Sequence, residues 1–159
     1  MTEIKYKSSE EIASLIQSEI QIKHIDKVFI LADPTTKELC LSKINIDSFS
    51  PVTIILDLNE QNKNLDHIIK LWDIFMDNMA TRHSLLINIG GGLICDLGGF
   101  AASTYKRGMH FINIPTTLLA TIDAATGGKN GINYRGVKNI IGTFTPADLI
   151  IINPTFFET

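Results

Sequence analysis

The stretch "IGGGLICDLGGF", residues 89–100, is the part of the sequence that decides the fold. Its three glycines directly follow the apolar run "SLLINI" (84–89), and the residues after them have the composition of a helix. A glycine turn between a strand and a helix lets a ligand approach the backbone, and the helix N-terminus attracts anions such as a pyrophosphate. Because Cys95 stands where the G-x-G-x-x-G pattern needs its last small residue, a turn that binds nothing is an equal alternative.

The other apolar runs are solid rather than alternating: "KVFILAD" (27–33), "VTIILD" (52–57), "FINI" (111–114) and "LIIIN" (149–153). Strands covered on both faces have this composition. Between them lie amphipathic segments, one with a capping box at Ser8 and Glu11 and one at 64–80. The predicted apolar stripe of the second segment comprises Leu65, Ile68, Ile69, Trp72, Phe75, Met76 and Met79. This α/β alternation predicts a Rossmann-like, doubly wound, mainly parallel sheet with helices on both faces.

Composition narrows the class of protein. The 159 residues are 45% hydrophobic, which is enough for one well-buried domain, 1–159, and too little for two large ones. The formal net charge is −3 and the basic residues are scattered, which argues against nucleic-acid and membrane partners. The polar N-terminus is unlike a signal peptide, and no stretch is apolar enough to span a membrane, so we expect a cytoplasmic protein. Cys40 and Cys95 form no C-x-x-C pair, so we expect two reduced thiols.

A second glycine-punctuated region follows the strand at 111–114. In it, Thr116 and Thr117 stand at the start of a predicted helix, and Lys129 follows a glycine pair. Lys138 and Asn139 come before a further glycine, and lysine with asparagine in such loops suits an oxyanion. The alternatives are plain helix capping for the threonines and solvent exposure for the lysines. We expect all three glycine-punctuated loops at one edge of the parallel sheet.

Together these segments resemble the 3-dehydroquinate synthase family. The family's motifs G-G-G-x-x-x-D-x-x-G-F, R-G, P-T-T-L-L, D-x-x-x-G-G-K and K-N-x-I-G occur in order over residues 88–159. The resemblance continues more thinly upstream through Asp33, Glu60 and Lys63. Asn130 replaces the family's threonine after G-G-K, and Val137 stands within the usual G-K-N, which puts the local loop shape in doubt.

The resemblance implies an enzyme that converts 3-deoxy-D-arabino-heptulosonate 7-phosphate to 3-dehydroquinate and phosphate, with bound NAD and a divalent metal, zinc or cobalt. In the family the metal is held by one glutamate and two histidines in a helical C-terminal half. We expect that half to be absent from this chain, which would then be the N-terminal NAD-binding domain, inactive alone. The four histidines match no family metal position: His24, His67, His83 and His110. We therefore expect no metal site here.

The resemblance also assigns individual residues. It implies an NAD site formed by Asp33, Glu60, Lys63, Gly91, Gly92, Leu93, Asp96, Thr116, Thr117, Lys129, Lys138, Phe156 and Thr159. The residues implied to face the sugar-phosphate substrate are Asp123, Lys129 and Asn139. Arg107 is implied to reach the phosphate of a neighbouring subunit's substrate, which requires a homodimer, although a surface arginine in a "KRG" turn is the plain alternative.

Three other classes of protein stay open. Related sugar-phosphate cyclases share these motifs, and the absent half would hold much of the substrate discrimination. Iron-type glycerol and alcohol dehydrogenases have a similar G-G-G-x-x-x-D loop, but the R-G, G-G-K and K-N motifs favour the synthase. A nucleotide-binding module without enzymatic activity is the third alternative.

Overall fold

The structure, a computed structural model, describes residues 2–158 and, at Asp47, the backbone alone. Strands and helices alternate along most of the chain. In order they are β1 (Glu3–Tyr6), α1 (Ser9–Ile22), β2 (Val28–Ala32), α2 (Pro34–Leu39), β3 (Val52–Ile55), α3 (Leu65–Asp77), β4 (Leu85–Gly90), α4 (Gly92–Thr104), β5 (His110–Pro115), α5 (Leu118–Ile122), β6 (Lys129–Tyr134), β7 (Val137–Phe144) and β8 (Leu149–Ile152). Short 3₁₀ turns add Leu41–Lys43, Asp47–Phe49, Tyr105–Arg107 and Pro154–Glu158.

The central sheet has six strands in the order β1-β8-β5-β4-β2-β3, and every neighbouring pair is parallel. The five apolar runs predicted as strands all lie in it, which confirms the predicted sheet. The edge strand β1 was not predicted, because its four residues are mostly exposed and carry no apolar run.

Side chains of the inner strands point alternately to the two faces of the sheet, as the period of a strand requires. Phe29 and Leu31 join a core formed with α3 and α4, whereas Val28 and Ile30 join a second core formed with α1. Helices therefore cover both faces, as predicted. Within residues 2–158, no helix combines the length and apolarity needed to cross a membrane.

The predicted apolar stripe of α3 is partly wrong. Ile68 and Phe75 are buried, and so is Leu71, which was not assigned to the stripe. The exposed members are Leu65, Ile69, Met76 and Met79. Met79 lies beyond the last helical residue at a φ of 56°, because the helix ends at Asp77 and the chain turns towards β4. By contrast, the predicted capping box of Ser8 and Glu11 is confirmed.

Residues 129–144 correct a second expectation. They form an antiparallel hairpin of β6 and β7, separate from the main sheet, instead of loops at its edge. All of β7 is exposed or half-buried, and its apolar residues do not form the continuous run that predicted the strands of the main sheet. Asn130 is buried at the hairpin's base, where its Nδ2 donates to the Thr145 carbonyl at 2.7 Å. The asparagine that departs from the family pattern therefore serves to close this hairpin.

Helix α4 lies between the main sheet and the hairpin, and two glycines allow this close packing. A Cβ added at Gly98 would lie 1.9 Å from Asn88 Oδ1 of the sheet. A Cβ added at Gly99 would lie 2.0 Å from Asn130 Oδ1 of the hairpin. The G-G of "DLGGF" is thus needed for packing on both sides of the helix.

The strand order places a topological switch point between β2 and β4. The chain leaves β2 towards the β3 edge, returns through α3 to β4, and leaves β4 towards the opposite edge. Ligands of open α/β sheets bind outside the carboxyl ends of the strands at such a point. Asp33 follows β2 there, and Gly91 follows β4.

Asp148, at the start of β8, connects three parts of the fold. It accepts hydrogen bonds from Lys23 Nζ at 3.1 Å, His110 Nδ1 at 3.1 Å and the Phe111 N–H at 3.0 Å. Burial acts to raise the pKa of Asp148, but these hydrogen bonds hold the pKa below the ordinary value for aspartate. The ionised carboxylate therefore stabilises the folded state.

We expect Asp148→Asn to lower the free energy of unfolding at pH 7 by roughly 1–3 kcal/mol, because a carboxylate that accepts several hydrogen bonds is lost. The stabilisation is present above the unfolded-state pKa and is lost as the pH falls through the lower folded-state pKa. The difference in free energy of unfolding between Asp148→Asn and wild type should thus become smaller below about pH 4. Urea unfolding across this pH range measures it, with exposed Asp73→Asn as the control. If the stability loss of Asp148→Asn did not change with pH, the ionised Asp148 carboxylate would not be the stabilising group.

Candidate functional site

The glycine turn after β4 presents bare backbone that the fold itself does not require. Gly91 is the N-cap of α4 at φ −73° and ψ −171°, a conformation open to any residue. The nearest atom to a Cβ added at Gly91 would be Thr117 Cγ2 at 3.7 Å, and at Gly92 it would be Ala124 Cβ at 3.7 Å. Only Gly90 is needed for packing, since a Cβ there would lie 2.7 Å from Ile94. The fold therefore leaves the backbone at 91 and 92 accessible to a ligand at the N-terminus of α4.

A cavity of about 250 Å³ lies beside this turn. Five residues predicted to bind the cofactor line it: Asp33, Gly91, Gly92, Leu93 and Thr117. Asp33 also caps α2 by accepting the Thr36 N–H at 2.9 Å, and Thr117 caps α5 by accepting the Ala120 N–H at 3.1 Å. The capping alternative, stated for the threonines, is therefore correct for Thr117, and capping fixes the side chains of Asp33 and Thr117 beside the cavity.

A buried ion pair lies next to the turn, between Lys63 and Asp96. The Lys63 ammonium is 2.6 Å from Asp96 Oδ2 and 2.6 Å from Asn139 Oδ1, with a side-chain exposure of 3%. Burial raises the pKa of Asp96, and the Lys63 charge opposes this shift. A buried ammonium needs such partners, so Lys63 holds a helix residue and a hairpin residue together.

A second cavity, of about 350 Å³, extends along the hairpin. Asp123, Lys129 and Asn139, the three residues predicted to face the substrate, all line it, and so does Asp96. The two cavities are neighbours, because a Cβ added at Gly92, which lines the first, would lie 3.7 Å from Ala124 Cβ, which lines the second. Two carboxylates, an ammonium and an amide give the second cavity groups for both hydroxyls and an oxyanion.

Other predicted residues lie apart from these cavities. The Lys138 side chain is 71% exposed, with its Nζ 3.8 Å from Glu60 Oε1, and both residues line a separate cavity of about 380 Å³. Thr116 is buried after β5. Phe156 is fully buried in the core shared with α1, and Thr159 lies outside the described residues.

Arg107 lies on the turn after α4 and lines yet another cavity, of about 430 Å³, beside His83 and His110 at the amino ends of β4 and β5. Arg107 and Lys106 both have left-handed backbones, with φ of 67° and 47°. The structure does not bring Arg107 to the cavity lined by the three substrate-facing residues.

Sequence reasoning missed a pair of buried amides beneath the site. Asn88 and Asn113 are in register on β4 and β5, and Asn88 Nδ2 donates to Asn113 Oδ1 at 2.9 Å. Asn113 Nδ2 donates to the Ala125 carbonyl at 3.4 Å and so holds the turn that begins at Asp123. Two polar residues at the same place in otherwise apolar runs were the signal for this pair.

Among the residues that the structure describes, no group of three or more His, Cys, Asp or Glu side chains is placed to hold a metal ion. The thiols of Cys40 and Cys95 are buried and unpaired by disulfides.

Comparison with known proteins decides the family. A family model described as 3-dehydroquinate synthase N-terminal matches residues 53–159. The chain belongs to the 3-dehydroquinate synthase family. The 3-dehydroquinate synthase of Parabacteroides distasonis is 41% identical over 100% of this chain and 46% of its own length. That of Pyrococcus furiosus is 46% identical over 84% of this chain and 40% of its own length. The chain thus spans less than half the length of these 3-dehydroquinate synthases.

Solved structures agree with the observed fold. A 2-deoxy-scyllo-inosose synthase complexed with carbaglucose-6-phosphate, NAD⁺ and Co²⁺ has a TM-score of 0.82 and 22% identity, covering 96% of this chain and 43% of that one. The 2-epi-5-epi-valiolone synthase of Streptomyces hygroscopicus, with NAD⁺ and Zn²⁺ bound, has a TM-score of 0.80 and 25% identity, covering 98% and 44%. An iron-containing alcohol dehydrogenase has a TM-score of 0.77 at 15% identity, covering 99% and 47%. These likenesses bear on the fold alone, and they confirm the predicted Rossmann-like class.

Proposed function

We propose that residues 1–159 are the NAD-binding N-terminal domain of a 3-dehydroquinate synthase. The full-length protein would convert 3-deoxy-D-arabino-heptulosonate 7-phosphate to 3-dehydroquinate and phosphate. One observation carries the proposal: the cavity at the glycine turn lies next to the cavity lined by Asp123, Lys129 and Asn139, with Gly92 of the first against Ala124 of the second. A nucleotide and a small polar substrate bound there would be adjacent.

The residues at the switch point fit NAD. Gly91 and Gly92 offer backbone to a pyrophosphate at the start of α4, and Asp33, which lines the same cavity, offers a carboxylate to a ribose hydroxyl. Glu60, which lines a separate cavity, is proposed to contact the adenosine end of NAD. Bound NAD would accept a hydride from the substrate and return it. The other residues proposed to complete this site are Lys63, Leu93, Asp96, Thr116, Thr117, Lys129, Lys138, Phe156 and Thr159.

The contribution of this chain to the reaction is orientation and electrostatics. Asp123 would accept hydrogen bonds from substrate hydroxyls, while Lys129 and Asn139 would face the phosphate end. Their shared cavity lies beside the ion pair of Lys63 and Asp96, so the substrate would be held against the nucleotide. The residues that the structure describes contain no cluster of metal ligands, so the roles proposed for them do not involve a metal ion. We propose that the full-length enzyme binds the divalent metal, zinc or cobalt.

We also propose that the full-length enzyme is a homodimer in which Arg107 reaches the phosphate of the neighbouring subunit's substrate. Arg107 is exposed and lines a cavity apart from its own chain's substrate-facing residues, which supports a role in trans. An arginine fork matches a phosphate well. A full-length protein that sediments as a monomer and still turns over substrate would refute this role. The cytoplasmic location stays a prediction.

The activity is tested by assaying this chain and the full-length protein side by side. Phosphate release and 3-dehydroquinate formation are followed with the heptulosonate phosphate, NAD and either zinc or cobalt. We expect turnover by the full-length protein and none by this chain, because loss of one positioned electrostatic partner costs roughly 100- to 1,000-fold in rate and here a whole set is missing. Turnover by the chain alone would show that the catalytic centre is misplaced.

A sugar-phosphate cyclase with another product is the second candidate, because structures of two such enzymes have TM-scores of 0.82 and 0.80 with this chain. Identities of 41% and 46% to 3-dehydroquinate synthases, against 22% and 25% to those two enzymes, favour the synthase. A full-length protein that cyclises a different sugar phosphate would move the assignment to this class. Simple alcohol oxidation without phosphate release would instead indicate an iron-type dehydrogenase.

A further inference from the structure

Asn133, in strand β6, contacts both halves of the candidate site, although no motif singles it out. Its Nδ2 donates to the Glu60 carbonyl at 2.7 Å and to Glu60 Oε1 at 2.9 Å. Its Oδ1 accepts the Asn139 N–H at 2.9 Å. We infer that Asn133 is a positioning residue that couples the nucleotide-side segment 60–63 to Asn139 on the substrate side. The inference rests on the function proposed above.

The Asn139 end of this connection needs support because its backbone is left-handed. Its φ is 51°, a conformation that is sterically unfavourable for a residue with a Cβ. The hydrogen bond from its N–H to Asn133 holds the backbone, and the hydrogen bond from Lys63 to its Oδ1 holds the side chain. Two residues outside β7, Asn133 and Lys63, therefore keep Asn139 facing the substrate cavity.

The other end of the connection is equally specific. The Asn133 N–H donates to the Lys63 carbonyl at 2.8 Å, in addition to the two side-chain hydrogen bonds to Glu60. The hydrogen bond from Asn133 lowers the pKa of the Glu60 carboxyl, with Lys138 contributing in the same direction. Asn133 thus fixes both residues of segment 60–63 that are proposed to contact the nucleotide.

This arrangement predicts that the two sides of the site order each other. NAD bound at Glu60 and Lys63 would rigidify segment 60–63 and, through Asn133, the part of β7 that carries Asn139. Asn133 makes this connection beside the direct hydrogen bond from Lys63 Nζ to Asn139 Oδ1, and hydrogen exchange of the Asn139 N–H, which is bonded to Asn133, follows it.

The test is NMR-detected amide exchange and the φ-sensitive coupling constant of Asn139 in this chain, with and without NAD. In Asn133→Ala we expect the Asn139 amide hydrogen to exchange roughly 10-fold faster than in wild type, because one hydrogen bond that protects it is lost. We also expect the coupling constant of Asn139 to move away from the value of a left-handed backbone. The matched control is Asn78→Ala, which removes a side-chain hydrogen bond to Ile74 at the end of α3. It should leave Asn139 unchanged.

Asn133→Asp separates the two ends of the connection. The carboxylate still accepts the Asn139 N–H but cannot donate to Glu60 and repels it. We expect slow Asn139 exchange in free Asn133→Asp and loss of the further protection that NAD gives wild type. If Asn133→Ala does not fold, Asn133→Asp alone tests the inference. Wild-type exchange at Asn139 in Asn133→Ala, or full NAD-induced protection in Asn133→Asp, would overturn the inference. Failure of wild type to bind NAD would instead refute the proposed function, while exchange in the free variants still decides whether Asn133 holds Asn139.

Discussion

Gly98→Ala is expected to lower the free energy of unfolding by about 3 kcal/mol, against the usual helix preference for alanine of about 1 kcal/mol over glycine. The added Cβ would lie 1.9 Å from Asn88 Oδ1. Asn88 cannot move aside easily, because it is fully buried and its Nδ2 is bonded to the buried Asn113. Urea unfolding followed by circular dichroism measures the loss.

Gly92→Ala on the same helix is the control. The nearest atom to its Cβ would be Ala124 Cβ at 3.7 Å, an ordinary contact, and the residue is the first of α4. Its stability should equal or slightly exceed that of wild type. If the two alanine variants were equally stable, the packing explanation for Gly98 would be wrong.

Gly92→Val is expected to weaken NAD binding by at least roughly 100-fold, or about 2.7 kcal/mol, while the domain stays folded. A branched side chain at the first residue of α4 would occupy the space through which a pyrophosphate reaches the backbone. Isothermal titration calorimetry of this chain with NAD measures the change.

The control for this prediction is Thr104→Val, at the other end of α4. The Thr104 hydroxyl donates to the Phe100 carbonyl of its own helix at 2.6 Å, remote from the glycine turn. Valine has nearly the same shape, so NAD affinity should be unchanged. An unchanged affinity in Gly92→Val as well would refute the assignment of this turn to the pyrophosphate.

The buried strands of the main sheet were predictable because helices cover both of its faces. Each such strand is therefore a continuous apolar run. The hairpin of β6 and β7 was not predictable. Strand β7 is exposed or half-buried, and β6 packs on α4 instead of extending the main sheet. Helix α2 was missed despite a readable signal. Asp33 followed by Pro34 is a typical N-cap and first helical residue, and the structure confirms both roles.

The candidate site was predictable where a residue's role depends on local backbone, as at the glycine turn. It was not predictable where pairing depends on packing. Lys63 and Asp96 are 33 residues apart, and only the folded positions of α4 and the segment before α3 make them partners. The same holds for Asn133, whose two partners lie 73 residues before it and 6 residues after it.

The glycine pair of α4 has a consequence for the width of the cleft. Gly98 and Gly99 let the helix touch an amide of the sheet on one side and an amide of the hairpin on the other. The substrate-side cavity lies between this helix and the hairpin, with Asp96 on one wall and Asn139 on the other. A side chain at Gly99, which faces the hairpin, would move these two walls apart. The absent methyl group of Gly99 thus sets the distance across which a substrate would be held.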